Sequence, residues 1–210
     1  MEPASTPHAT EPDLSVLHAL RCAGFSGTAR LSEVTGLGES ETESTLIDLA
    51  VSGLVTRTSG SFGGWGLSEA GRTEGFARIS AELDATGTRS LVEHAYGGFL
   101  DLNPELLDLC TAWQLRTVDG VPTVNDHTDP DHDARVLGLF SDLDRRLATV
   151  CDGLSERLLR FDRYRVRLSG ALAKARAGTP GQVTDDTASY HAVWAQLHED
   201  LLVTLGLPRY

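Results

Sequence analysis

The chain has 210 residues, with 30 acidic side chains against 18 basic ones and a formal net charge of −12. That balance disfavours non-specific attraction to nucleic acid or to an anionic membrane. Cys22, Cys110 and Cys151 are odd in number and lack CxxC spacing, which argues against a disulfide framework or a structural zinc site. No apolar run approaches a membrane span, and the polar, Pro-rich start MEPASTPHATEP is no signal sequence, so a cytoplasmic protein without membrane contact is expected.

Residues 1–12 read as a disordered tail. Asp13 is placed to cap a helix whose apolar positions, Leu14, Val16, Leu17 and Leu20, recur at helical spacing up to Ala23. Thr28 to Thr35 form a short second helix with Leu31 and Val34 inward. Ser40 is placed to cap a third, with Glu43 in the capping-box position and Leu46, Ile47, Leu49, Ala50 and Leu54 as its apolar stripe. Two short strands, about 54–58 and 64–67, flank a Gly/Ser turn. Ser68 then caps a helix that runs through 74–83 and out at DATGT (84–88), the candidate domain boundary.

The runs LSEVTGL (31–37), LIDLAVSGLV (46–55) and GWGLSEAGR (64–72), in the order helix, helix, helix, hairpin, helix, resemble the winged helix-turn-helix domain of MarR-like transcription regulators over residues 13–86. The resemblance implies a third helix that reads bases and a hairpin wing that touches phosphate. Ser40, Thr42, Ser44, Thr45 and Arg57 would be the DNA-facing positions, and two half-sites would call for a homodimer. The third helix nevertheless carries no lysine or arginine; Glu39, Glu41, Glu43 and Asp48 are its charges. A helix entering the major groove approaches a line of phosphates, so this charge works against DNA.

Residues 87–210 read as an all-helical domain, which makes the fold mainly α. Helices are expected over Ser90–Leu100, from an Asn103 cap with Pro104 at its first position to about Arg116, over about 130–152 and 155–176, and from Asp186 or Thr187 to Leu205. Residues 118–133 and 177–186 read as loops.

Polar chemistry gathers in three places. In LDLCTAWQLR (107–116), Trp113 and Gln114 suit either core packing or a pocket wall. NDHTDPDHD (125–133) holds two histidines and four aspartates in nine residues, which suits helix capping at Asp129–Pro130, a small-molecule site or a divalent ion. In SYHAVWAQLHEDLL (189–202), Tyr190, His191, Trp194, His198 and Leu201 share a helical stripe, and the two histidines stand about 10 Å apart along the axis, too far to chelate one ion. A basic run, RLLRFDRYRVRLSGALAKAR (157–176), can form a solvated face or bind an anionic ligand, a partner or the acidic N-terminal half.

Two functions follow. One is a winged-helix regulator whose helical domain binds a small molecule through His94, Trp113, Gln114, Arg116, Arg135, Tyr190 and Trp194. The other is an acid–base enzyme using His191, His198, His127 and His132 on a small molecule, with the winged helix as scaffold. Neither calls for a cofactor or metal, because no nucleotide, phosphate-loop or nucleophile-elbow motif is present. A docking module with an acidic third helix is a third reading.

Overall fold

A computed structural model describes residues 6–60 and 62–208. The chain is mainly helical, with two small antiparallel hairpins. None of its described helices is long and apolar enough to cross a membrane.

The expected tail holds structure from His8 onward. The His8 N–H donates to the Arg157 carbonyl (2.8 Å) and its carbonyl accepts from Leu159 (2.9 Å); residues 1–5 lie outside the described residues. Helix α1 (Pro12–Ala23) starts one residue before the expected Asp13 cap, with Pro12 in its first turn, where no intrahelical N–H is needed. Asp13 instead forms a two-pronged pair with Arg78, both contacts 2.8 Å. Helix α2 (Thr28–Thr35) has the expected bounds.

Helix α3 (Glu39–Val51) corrects the reading of Ser40 as its cap: Gly38 occupies that position and Ser40 lies inside the helix. The Thr42 N–H and hydroxyl both donate to the Gly38 carbonyl, at 2.8 and 2.9 Å, and so pull the start forward. Ile47, expected inward, is half exposed.

Strands β1 (Val55–Thr58) and β2 (Gly64–Leu67) pair antiparallel from Val55–Leu67 to Thr58–Gly64. Helix α4 (Glu69–Thr86) follows, and Ser68 caps it by accepting from the Gly71 N–H at 3.0 Å. Glycine is required at 71, because a Cβ there would stand 1.9 Å from the Leu54 carbonyl oxygen. The helix closes on Gly87 in the left-handed conformation.

Helix α5 (Arg89–Gln114) is continuous, where two helices meeting at Asn103–Pro104 were expected. Asn103 does not cap; its side-chain oxygen accepts from the Trp194 indole N–H at 3.0 Å. Pro104 interrupts one backbone bond on a turn where residues 100 and 101 are exposed, so the helix tolerates it. A second hairpin stands where a loop was expected: β3 (Leu115–Val118) pairs with β4 (Val121–Val124). Asp119 and Gly120 both have positive φ, the conformation of a two-residue hairpin turn.

Helix α6 (Pro130–Ser155) starts at the Asp129 cap. After one 3-10 turn (159–161) come α7 (Asp162–Arg176), the short α8 (Gly181–Thr184) within the expected loop, and α9 (Tyr190–Leu205), capped by Ser189.

Two apolar clusters form. Leu17, Leu31, Leu46, Val55 and Trp65 centre the smaller one, within the first half. Phe99, Trp113, Phe140, Phe161, Tyr190 and Trp194 centre the larger one, among α5, α6, α7 and α9. The end of α9 packs back against α1 and α4, so the last helix belongs to both halves.

Candidate functional site: a cleft with a histidine–aspartate pair

A cleft of about 580 Å³ opens where the end of α5, the β4–α6 loop, the first turns of α6 and the end of α7 meet. Trp113, Pro130, Ala134, Leu137 and Pro180 give it apolar walls, and His127, Asp133 and Arg176 are its charged or titratable groups. Its size and its few polar groups among apolar walls suit a small organic ligand.

Asn125 organises the polar side. It is buried, and its backbone N–H donates to the Gln114 carbonyl (2.8 Å), which ties the hairpin to the end of α5. Its side-chain nitrogen reaches the Trp113 carbonyl at 2.9 Å, an Asp133 oxygen at 2.8 Å and His127 Nδ1 at 3.2 Å. An amide nitrogen has only two hydrogens, and the two shorter contacts use them. His127 Nδ1 is therefore the donor to the second Asp133 oxygen, 2.9 Å away. In the neutral ring that assignment leaves Nε2 as the acceptor nitrogen, with no hydrogen-bond partner among the described residues.

His127 has φ +58°, a left-handed conformation that costs a non-glycine residue energy. Its N–H donates to Asn125 Oδ1 (3.2 Å), and its ring lies 4.7 Å from the Trp113 ring centroid. Backbone strain, carboxylate and indole together hold one imidazole orientation beside the cleft.

Of the residues singled out from the sequence, Trp113 and His127 line this cleft. His132 does not: its Nε2 donates to the Ala112 carbonyl (2.9 Å) and its Nδ1 accepts from Arg135 (3.2 Å), so the pair anchors α6 to α5. Arg116 braces the loop through Asp126 (2.8 Å) and Thr128 (3.2 Å). Gln114 and His94 are exposed and outside the cleft. Tyr190 and Trp194 are core, packed with Phe140 and Phe99. His198 lies over Phe99 (5.2 Å), and His191 is half-buried; neither lines this cleft. Asn125 and Asp133 belong to the 125–133 run read as capping, a small-molecule site or an ion site, and Arg176 to the basic run read as a solvated face or an anion binder; the sequence did not single out any of the three individually as a site residue.

A second polar cluster lies between the halves. Asp200 is buried; one oxygen meets His18 Nε2 (2.9 Å), the Thr204 hydroxyl (3.0 Å) and Arg160 Nε (3.5 Å), and the other accepts from Tyr164 (3.0 Å). Arg160 also pairs with Glu82 on α4, and Arg21 with Glu199 (3.1 Å). Burial alone would raise the Asp200 pKa, but the charges of His18 and Arg160 and the bonds from His18 and Tyr164 hold it well below the carboxylate range. Arg163 donates to the Glu33 carbonyl (3.0 Å), so the start of the basic run docks on the first half.

His18, Cys22 and Asp200 offer nitrogen, sulfur and oxygen within 4.8 Å of one another. Besides His18, the Asp200 carboxylate already meets three donors, Thr204, Tyr164 and the Arg160 guanidinium, with which a metal there would compete. Among the described residues, 125–133 gather no such donor triad. Burial pushes the Cys110 thiol to about 11 and the Cys151 thiol to about 12, and Cys22 is raised as well, which makes all three poor nucleophiles.

The residues expected to face DNA divide. Thr42 is fully buried, which removes it from any surface. Ser40 and Ser44 are exposed, the Thr45 hydroxyl donates to the Glu41 carbonyl (2.8 Å), and the Arg57 guanidinium lies 5.4 Å from the Trp65 ring centroid. The chain matches no family model, no curated protein and no solved structure.

Proposed function

We propose that this protein is a ligand-responsive winged-helix protein: a helical half that binds a small molecule in the Trp113–His127 cleft, and a winged-helix half of the regulator type that responds. The observation that carries the reading is the acceptor nitrogen of His127, held by Asp133 beside an apolar-walled cleft of about 580 Å³. Preorganised polar groups of this kind are what binding sites require.

Helix α7 supplies the connection. Arg160, just before it, and Tyr164, in its first turn, sit in the polar cluster against α1, α4 and α9, while Ala175 and Arg176 at its other end line the cleft. One rigid rod of about 20 Å thus joins ligand and winged helix. A ligand that holds the end of α7 differently acts on the docking of the first half, in the sense that it favours one of two arrangements. The response does not run through bases read by α3, given its acidic outward face. Homodimerisation belongs to the regulator reading and is read out by light scattering.

The histidine–aspartate pair also favours a second reading, an acid–base enzyme in which His127, rather than His191 or His198, takes a proton from a bound small molecule. A fragment screen by ligand-observed NMR tests both. Binding to the wild type that is lost in His127→Ala supports the cleft; consumption of the bound compound marks the enzyme. Hits that bind the variant equally well contradict both.

A further inference from the structure

The cleft also defines the chemistry of what fills it. Asp133 accepts on one oxygen from Asn125 and on the other from His127, so both oxygens already hold a donor within the wall. Arg176 is exposed at the rim and has no carboxylate partner among the described residues; its polar contact is the Ser141 hydroxyl. Ten other arginines of this acidic chain do have one, among them Arg116 beside the same loop and Arg160 and Arg165 near the other end of α7. The cleft therefore presents one uncompensated guanidinium and one imidazole acceptor, between apolar walls that include an indole.

We propose that the cleft takes a hydroxylated organic oxyanion, a carboxylate or phosphate ester with an apolar body. A guanidinium recognises an oxyanion through parallel N–H donors, and carboxylate and phosphate both satisfy that geometry. His127 Nε2, as an acceptor, selects a ligand O–H. The apolar body lies against Trp113 and Leu137. A cation meets the Arg176 guanidinium and a carboxylate whose two oxygens already accept, and a simple hydrocarbon leaves both polar groups unpaired, at a cost.

This inference rests on the reading of the cleft as a binding site, and one calorimetric series separates the two. The probes are 4-hydroxyphenylacetate, phenylacetate without the hydroxyl, tyramine with a cation in place of the acid, and phenyl phosphate. 4-Hydroxyphenylacetate binds the wild type at least tenfold more tightly than tyramine. Arg176→Gln, an exposed change checked for unchanged circular dichroism, loses at least tenfold for both carboxylates and leaves tyramine as it was. His127→Ala removes the advantage of 4-hydroxyphenylacetate over phenylacetate. Phenyl phosphate set against phenylacetate tells which oxyanion is preferred, and binding of either in an Arg176-dependent way supports the class.

Tyramine binding as tightly as the acid, or acids indifferent to Arg176→Gln, overturns the oxyanion class while the cleft stands as a site. Failure of all four probes to bind overturns the class and counts against the cleft as well.

Discussion

His18 Nε2 lies 2.9 Å from an Asp200 carboxylate oxygen, so the first helix of the chain and its last are joined by a buried polar contact. Around it Arg160, Tyr164 and Thr204 complete the shell of Asp200. Buried charges are tolerated only when paired and hydrogen-bonded, and removing one member strands the others. The docking of the two halves is therefore sensitive to single polar substitutions.

Asp200→Asn is expected to destabilise the protein by about 3–5 kcal/mol, the range for breaking a buried charged pair. The pH dependence has a definite sign. The folded-state pKa of Asp200 is depressed, so its stabilisation is fully present above the unfolded value near 4 and is lost as pH falls through the lower folded value. The difference between the urea midpoints of the two proteins is present at pH 5 and shrinks as the pH falls below about 4.

Asn125→Ala should cost about 1–3 kcal/mol, since it leaves the Trp113 carbonyl and Asp133 without their buried donor. Hydrogen exchange checks where the loss falls. Protection should drop at the β3–β4 hairpin and the start of α6 more than in α1–α3.

Gly71→Ala places a methyl against the Leu54 carbonyl, which must move. Overpacking of this kind costs about 1–3 kcal/mol, and thermal melts should show a clear drop. Gly75→Ala, four residues on, meets only a Leu17 side-chain carbon at 3.6 Å and should melt at or above the wild-type temperature.

Charge on α3 has its own test. Exchanging Glu41 and Glu43 for lysine should raise affinity for duplex DNA at low salt by about tenfold or more, with a steeper salt dependence, because phosphate contacts release counterions. Wild-type protein that already shifts DNA with a steep salt slope would return α3 to the base-reading role that the sequence resemblance implies.

Local signals in the sequence mark many element ends: Ser68 and Asp129 cap where expected, and Thr28–Thr35 is a helix with the expected bounds. The Asp-Gly turn of the second hairpin was legible too, flanked by Leu115–Val118 and Val121–Val124, but the polar run after it disguised the strands as loop. Asn103–Pro104 has a strong capping signature that tertiary structure overrides, since Trp194 claims the asparagine. The site was half visible. Residues 125–133 stood out by composition, yet the assignment of Asp133 to His127 and the arrival of Arg176 from a distant helix depend on packing that no local pattern encodes. The same holds for His18 and Asp200, which come from opposite ends of the chain.

The most direct test of the cleft as the working site is a map of amide and indole shifts in isotope-labelled protein titrated with the fragments that bind. The Trp113 indole and the amides around His127, Asp133 and Arg176 are expected to move first, with smaller shifts following along α7 toward Tyr164. Shifts confined to α3 and the β1–β2 hairpin, with the cleft unmoved, would contradict that role for the cleft.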